Sequence, residues 1–316
     1  MNQAHIQDSL GNYKDAIKLY TKAAKSNTEL ASAWLGKANA KFNLGENKSA
    51  LEDLAQAIKI KPDYSEAFAK RGVIEAANGN IKGAISDLDK AVGFNERNVE
   101  ALVQRGIIKS KMRKNTDAIN DFTAALEVNP NYLDAIIYRG KARHGIGDYQ
   151  LAMVDFNKAE QIDPKNFNLL KFRGITRFEI QDYKGAMHDF DKAIEINNKD
   201  PELYTNRAAA KINSRDSKGA IEDCNKALEL DPYNPMIYNF RGTAKSALKD
   251  YKGALEDLDK AIKLKQNYSQ AYINRAAVKF ASGDKKSSCA DLIAADGMGN
   301  AMANDLIEKY CNIRVQ

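Results

Sequence analysis

Two oppositely charged residues recur along this chain at a constant spacing. Aspartate stands at Asp53, Asp87, Asp121, Asp155, Asp189, Asp223, Asp257 and Asp291, one every 34 residues. Sixteen residues before each lies a cation: Lys37, then Arg71, Arg105, Arg139, Arg173, Arg207, Arg241 and Arg275. Four residues after that cation a second one follows in seven cases, Lys41, Lys109, Arg143, Arg177, Lys211, Lys245 and Lys279, with Glu75 as the exception. The chemistry open to such a set is charge pairing, because a guanidinium can hold a carboxylate through two parallel hydrogen bonds. One reading is a structural ladder of arginine–aspartate pairs. The other is a basic stripe that receives an anionic ligand. The aspartates repeat as faithfully as the arginines, and this favours the ladder.

The elements that carry these residues follow from the same period. Self-similarity at 34 residues, with no insertion or deletion, marks an array in which each unit is one supersecondary element stacked on the next. Units begin at Ala31, Ser65, Val99, Leu133, Phe167, Pro201, Pro235 and Ser269. Within each, apolar residues recur at helical spacing in two stretches separated by a turn signal such as Gly79-Asn80. Position eight is always glycine or alanine, and position twenty-seven is always alanine. Position twenty-four is mostly large and apolar, as in Leu54, Phe122 and Phe190. Small residues let the two helices approach, and the large one fills the gap. In such an antiparallel pair the cation at position seven lies level with the aspartate at position twenty-three. The sequence leaves open whether that aspartate pairs within its own unit or with the next. The pairs should be at least half buried, beside the packing residue at twenty-four. At position fifteen, after the first helix, Gly11, Gly45, Gly79, Gly147 and Gly283 suit a left-handed backbone, yet Arg113, Gln181, Arg215 and Lys249 hold the same place.

The frame resembles that of the tetratricopeptide repeat family. Trp34, Ala38, Ala50, Ala57 and Pro62 stand where its pattern places tryptophan, a small residue, alanine, alanine and proline. The resemblance implies an all-α fold, a right-handed superhelical solenoid of antiparallel helix-turn-helix repeats. It also implies a concave groove lined by each first helix, which receives a protein or peptide. The chain departs from the family at positions seven and eleven, where leucine and tyrosine are usual and cations stand here. The organisation expected is a partial first repeat over 1–30 with a complete second helix, eight repeats over 31–302 and a capping helix over 303–316. These form one continuous solenoid domain. Met1 falls at position five of a unit, so the chain reads as a fragment excised from a longer one.

Groove positions narrow the candidate site. Members of the family that grip a C-terminal carboxylate use five set positions, and Lys171 and Asn206 match two of them. Ile175, Met236 and Phe240 do not match the others, so this carboxylate clamp is incomplete. A mid-array set remains: Tyr138, Lys141, His144, Lys171, Phe172, Phe178 and Asn206. Aromatic surface, cations and an amide suit an extended peptide with apolar side chains and one acidic group. The alternative is that these are ordinary variants at tolerant positions.

Composition excludes several other classes. The net charge of +6 falls short of a nucleic-acid arm. RNA binding is the least favoured alternative, since Ile, Val and Ala occupy several groove positions that a base reader would need to be polar. Self-assembly into a homo-oligomer is the stronger alternative to a peptide ligand. The three histidines, His5, His144 and His188, lie in different units without metal-ligand spacing, and no phosphate loop or nucleophile–base motif occurs. A non-enzymatic binding scaffold without cofactors follows. No run of eighteen apolar residues exists. Of three cysteines, Cys224 sits at the packing position, while Cys289 and Cys311 are one helical hairpin apart and could face each other. A disulfide there would point to an exported protein. Without it the balance lies with the cytoplasm, export requiring a leader removed from the chain.

Overall fold

The computed structural model describes residues 1–311. Among them the regular structure is nineteen helices and no strand. The chain divides into two compact units, Met1–Asp163 and a second from Pro164 onward. In the first the order is α1 (Asn2–Ser9), α2 (Tyr13–Ser26), α3 (Ala31–Asn43), α4 (Asn47–Ile60), α5 (Ser65–Ala77), α6 (Ile81–Phe94), α7 (Val99–Lys111), α8 (Asn115–Val128), α9 (Leu133–His144) and α10 (Tyr149–Ile162). The second has α11 (Phe167–Glu179), α12 (Tyr183–Ile196), α13 (Pro201–Asn213), α14 (Ser217–Leu230), α15 (Pro235–Ala247), α16 (Tyr251–Leu264), α17 (Ser269–Ala281), α18 (Lys285–Asp296) and α19 (Ala301–Tyr310). The capping helix therefore starts two residues before the expected boundary, because the Asn300 side chain accepts from the Met302 amide and opens it there. Residues 312–316 of the expected cap lie outside the described residues.

The hairpins share one closing device, and six of them add a second, the side-chain caps of Asn80, Asp148, Asp182, Asp216, Asp250 and Asp284. The first helix ends in a Schellman motif: in the Lys249 turn, the Asp250 amide donates to the Lys245 carbonyl at 3.0 Å and the Lys249 amide to Ser246 at 2.9 Å. That motif needs a left-handed residue. Arg113, Gln181, Arg215 and Lys249 adopt φ of 61 to 65° without being glycine. The following residue caps the second helix, as when Asp250 accepts from the Gly253 amide at 3.0 Å.

Packing follows the small and large positions. The alanines at position twenty and twenty-seven are fully buried from Ala50 and Ala57 to Ala254 and Ala261. Phe122, Phe156 and Phe190 at position twenty-four are fully buried too. Each faces a glycine at position eight. A Cβ on Gly174 would lie 2.7 Å from the Phe190 ring, so the phenyl fills space that any side chain would take. Within each unit consecutive helices touch, and each first helix also touches the next first helix, as α5 does α7 and α13 does α15.

Candidate functional site

The charged frame resolves into a repeated triad. In α11 and α12, Arg173 Nε donates to Asp189 Oδ2 at 2.9 Å and Nη2 to Oδ1 at 2.8 Å. Arg177, one turn on, adds its Nη1 to Oδ2 at 2.8 Å. The same sixteen-residue fork joins Arg71 to Asp87, Arg105 to Asp121, Arg139 to Asp155, Arg207 to Asp223, Arg241 to Asp257 and Arg275 to Asp291. In the first full repeat Lys37 takes the arginine's place, 2.9 Å from Asp53. Lys41, Lys109, Arg143, Lys211, Lys245 and Lys279 all join their aspartates. The choice between own and next unit is thus settled: each aspartate binds the cations of its own repeat.

The third guanidinium nitrogen reaches backwards. Arg105 Nη1 meets Asp89 at 2.9 Å, Arg241 meets Asn225 at 2.7 Å and Arg275 meets Asp259 at 2.6 Å, all on the preceding second helix. One arginine therefore clasps both walls of its own hairpin and the repeat before it. The aspartates are buried, Asp189 completely and Arg173 with it, while the other position-seven arginines are half-buried. For Arg105, Arg207 and Arg275 burial works to lower the guanidinium pKa, but the hydrogen bonds to their aspartates outweigh it and the pKa is raised. For Arg71 and Arg241 the aspartate hydrogen bond is itself the largest influence, again upward.

The groove candidates are placed as follows. In the first unit the Tyr138 ring stands 6.3 Å from buried Phe122, and the Lys141 ammonium lies over Tyr138 at 5.9 Å. Burial, then Asp134, raises the Tyr138 phenol pKa. His144 lies against Tyr149, rings 5.3 Å apart. In the second unit Phe178 packs on the core around Leu170 and Phe190 and against Tyr183. Phe172 and Asn206 are half-buried on α11 and α13. Lys171 is already engaged: its Nζ lies 2.7 Å from Asp200 and 2.6 Å from Glu202. A ligand carboxylate would have to displace both. The signal was in the sequence, since Asp200 and Glu202 open the next first helix, level with Lys171.

Sequence reasoning overlooked a polar seam on α15 and α17. Asn274 Nδ2 donates to Asn239 Oδ1 at 2.8 Å and to Thr243 Oγ1 at 3.2 Å, and Gln270 donates to Asn274 at 3.0 Å. These residues hold positions two, five, six and nine. Consecutive amides at those positions could have revealed the seam.

Comparisons with known proteins agree on architecture. Family models described as tetratricopeptide repeat match residues 1–65, 35–98 and 103–167, and a second matches 201–234 and 237–268. A search of curated protein sequences found no match. Among solved structures, a tetratricopeptide repeat protein from Parabacteroides merdae is 20% identical with a TM-score of 0.60, covering 78% of this chain and 99% of that one. The anaphase-promoting complex hetero-tetramer Cut9–Hcn1 is 17% identical with a TM-score of 0.64, over 94% of this chain and 58% of that one. MamA from Desulfovibrio magneticus is 20% identical with a TM-score of 0.50, over 54% and 96%.

Proposed function

Since the chain belongs to the tetratricopeptide repeat family, we propose that it is a protein-interaction scaffold whose first helices bind an extended peptide or protein segment. The carrying observation is the accounting of charge. The position-seven arginines and all seven position-eleven cations are committed to internal aspartates, so the repeated basic stripe serves the hairpins. What the first helices then present is aromatic, aliphatic and amide surface. In the seam, exposed Gln270 and half-buried Asn274 rest on Thr243 and buried Asn239, and their amides suit the backbone of an extended segment. The assembly reported for Cut9–Hcn1 lends the reading support by fold. The Cys289–Cys311 disulfide favours an oxidising compartment.

The test is a peptide-display selection followed by affinity measurement on variants. Lys141→Glu and Asn274→Ala should each weaken the selected peptide about tenfold. Lys82→Glu and Lys252→Glu, on exposed positions of α6 and α16, should leave it unchanged. Equal sensitivity at the three lysines, with Asn274→Ala without effect, would leave only non-specific charge attraction and overturn the reading.

A further inference from the structure

The groove face of the last repeat is closed by α19 into a pocket of about 260 Å³. Its floor is Ile273, Ala276 and Leu292, each nearly inaccessible to solvent. Leu306 of α19 forms the far wall, and Phe280 and Tyr310 form the rim, ring centroids 5.1 Å apart. The only hydroxyl at the base, Ser288, donates to the Ala276 carbonyl at 2.8 Å, so the floor presents no free polar group. The size lies between an engineered cavity that takes benzene, about 150 Å³, and small-molecule sites of about 300–1,000 Å³. It fits one branched or aromatic side chain.

Two further observations identify what would enter. The Lys285 ammonium lies 5.6 Å over the Phe280 ring and that of Lys309 lies 5.1 Å over Tyr310, so both rim aromatics carry a cation. Lys279, the neighbouring cation, is held by Asp291 at 2.7 Å and takes no part. The wall is also fixed. α19 has one fully buried residue, Ala303, and is tied to α18 by the Cys289–Cys311 disulfide, one residue beyond Tyr310. We propose that this pocket anchors one large aliphatic side chain of a protein segment, with an adjacent carboxylate held between Lys285 and Lys309. The proposal deepens the scaffold reading by naming a partner chemistry. It stands apart from the seam and from Lys141, so either can fail alone.

The experiment is methyl NMR of the intact, oxidised protein, titrated with three probes. N-acetyl-leucine carries both the side chain and the carboxylate, N-acetyl-leucinamide lacks the carboxylate, and octanoate has a tail and a carboxylate without an amide. N-acetyl-leucine should shift the Ile273, Leu292 and Leu306 methyls with a Kd in the millimolar range. The amide should bind at least threefold more weakly, and Lys285→Glu and Lys309→Glu should remove that difference. Ala277→Phe, placed at the exposed mouth, should abolish the shifts while helical circular dichroism is retained. The proposal is overturned by absent methyl shifts, by shifts that persist in Ala277→Phe, by equal binding of acid and amide, or by octanoate binding tenfold more tightly than N-acetyl-leucine. The last outcome would make it a lipid-tail site.

Discussion

Replacing Asp189 by asparagine should destabilise the chain more than the same change at Asp87. Asp189 is completely buried and holds two guanidinium groups, that of Arg173 through both oxygens and that of Arg177 through Oδ2. Asparagine keeps the shape but removes the charge, leaving the Arg173 guanidinium desolvated beside a neutral amide. Breaking a buried pair from one side costs about 3–5 kcal/mol. Asp87 meets only Arg71, whose side chain is 25% exposed, and Glu75 stands where other repeats have a second cation. Water and Glu75 both soften that loss, so the expected cost at Asp87 is about 1–2 kcal/mol. A paired removal, Arg173→Met with Asp189→Leu, should recover most of the deficit. Arg177 is then left, but at 20% exposure and 3.7 Å from Asp182 it can turn outward. Repeat arrays can unfold in parts, so urea denaturation by circular dichroism should be read beside hydrogen exchange of α11 and α12. A loss below about 1 kcal/mol at Asp189, or equal losses at both aspartates, would show that the ladder contributes no buried coupling.

Other perturbations test the remaining features. Lys249→Gly and Arg215→Gly relieve a left-handed residue at φ 65° and should be neutral or stabilising by up to about 1 kcal/mol, in thermal or urea melts; a comparable loss would contradict the turn assignment. Gly174→Ala forces a Cβ to 2.7 Å from the Phe190 ring and should cost about 1–3 kcal/mol by overpacking, whereas Gly93→Ala, with open space around it, should not destabilise. Reducing the Cys289–Cys311 bond, which closes a 22-residue separation, should lower the opening free energy of α19 by about 3 kcal/mol in hydrogen exchange and leave α1–α16 unaffected. Burial above all pushes the Cys224 thiol up to about 12. Its folded-state pKa thus exceeds the unfolded value, so its contribution is fully present below about pH 9 and is lost as pH rises towards 12. A native sample at pH 8.5 should resist alkylation unless first unfolded.

How much of this was legible in the sequence depended on whether a feature was periodic. The hairpins, the buried alanines and the arginine–aspartate pairing repeat at fixed positions, so eight near-copies reinforced one reading. The left-handed Lys249 could be read for the same reason: five residues at the same place in the frame are glycine, which identifies the backbone state the lysine must share. The choice of partner for each aspartate was not legible. A second helix touches two first helices, and only the direction of the side chain, set by χ angles, selects one. The ion pairs of Lys171 were not legible within its own helix, because its partners Asp200 and Glu202 belong to the opening of the next repeat.

The arginine explains why this array departs from the family at position seven. Leucine there would give burial without direction. The guanidinium gives five donors in a fixed plane: two go to the hairpin's own aspartate, and a third goes to position twenty-five of the previous repeat where that residue can accept. The repeats offering Asp89, Thr123, Asp191, Asn225 and Asp259 are stitched this way. Ala55 precedes Arg71 and cannot accept, so that junction lacks the backward arginine bond; there Asn47 donates to Asn78 at 2.8 Å and the Lys70 ammonium lies over Phe42 at 4.9 Å. Within each compact unit, spacing between stitched neighbours is then held by a plane of hydrogen bonds. A slip by one helical turn would break three charge-assisted bonds per stitched repeat, but none of the backward bonds at the Ala55 junction. Register along the array is therefore enforced by the same residues that a functional reading would have assigned to an anionic ligand. This separates the two uses of charge: the periodic cations hold the scaffold, and the recognition we propose falls to residues that break the period.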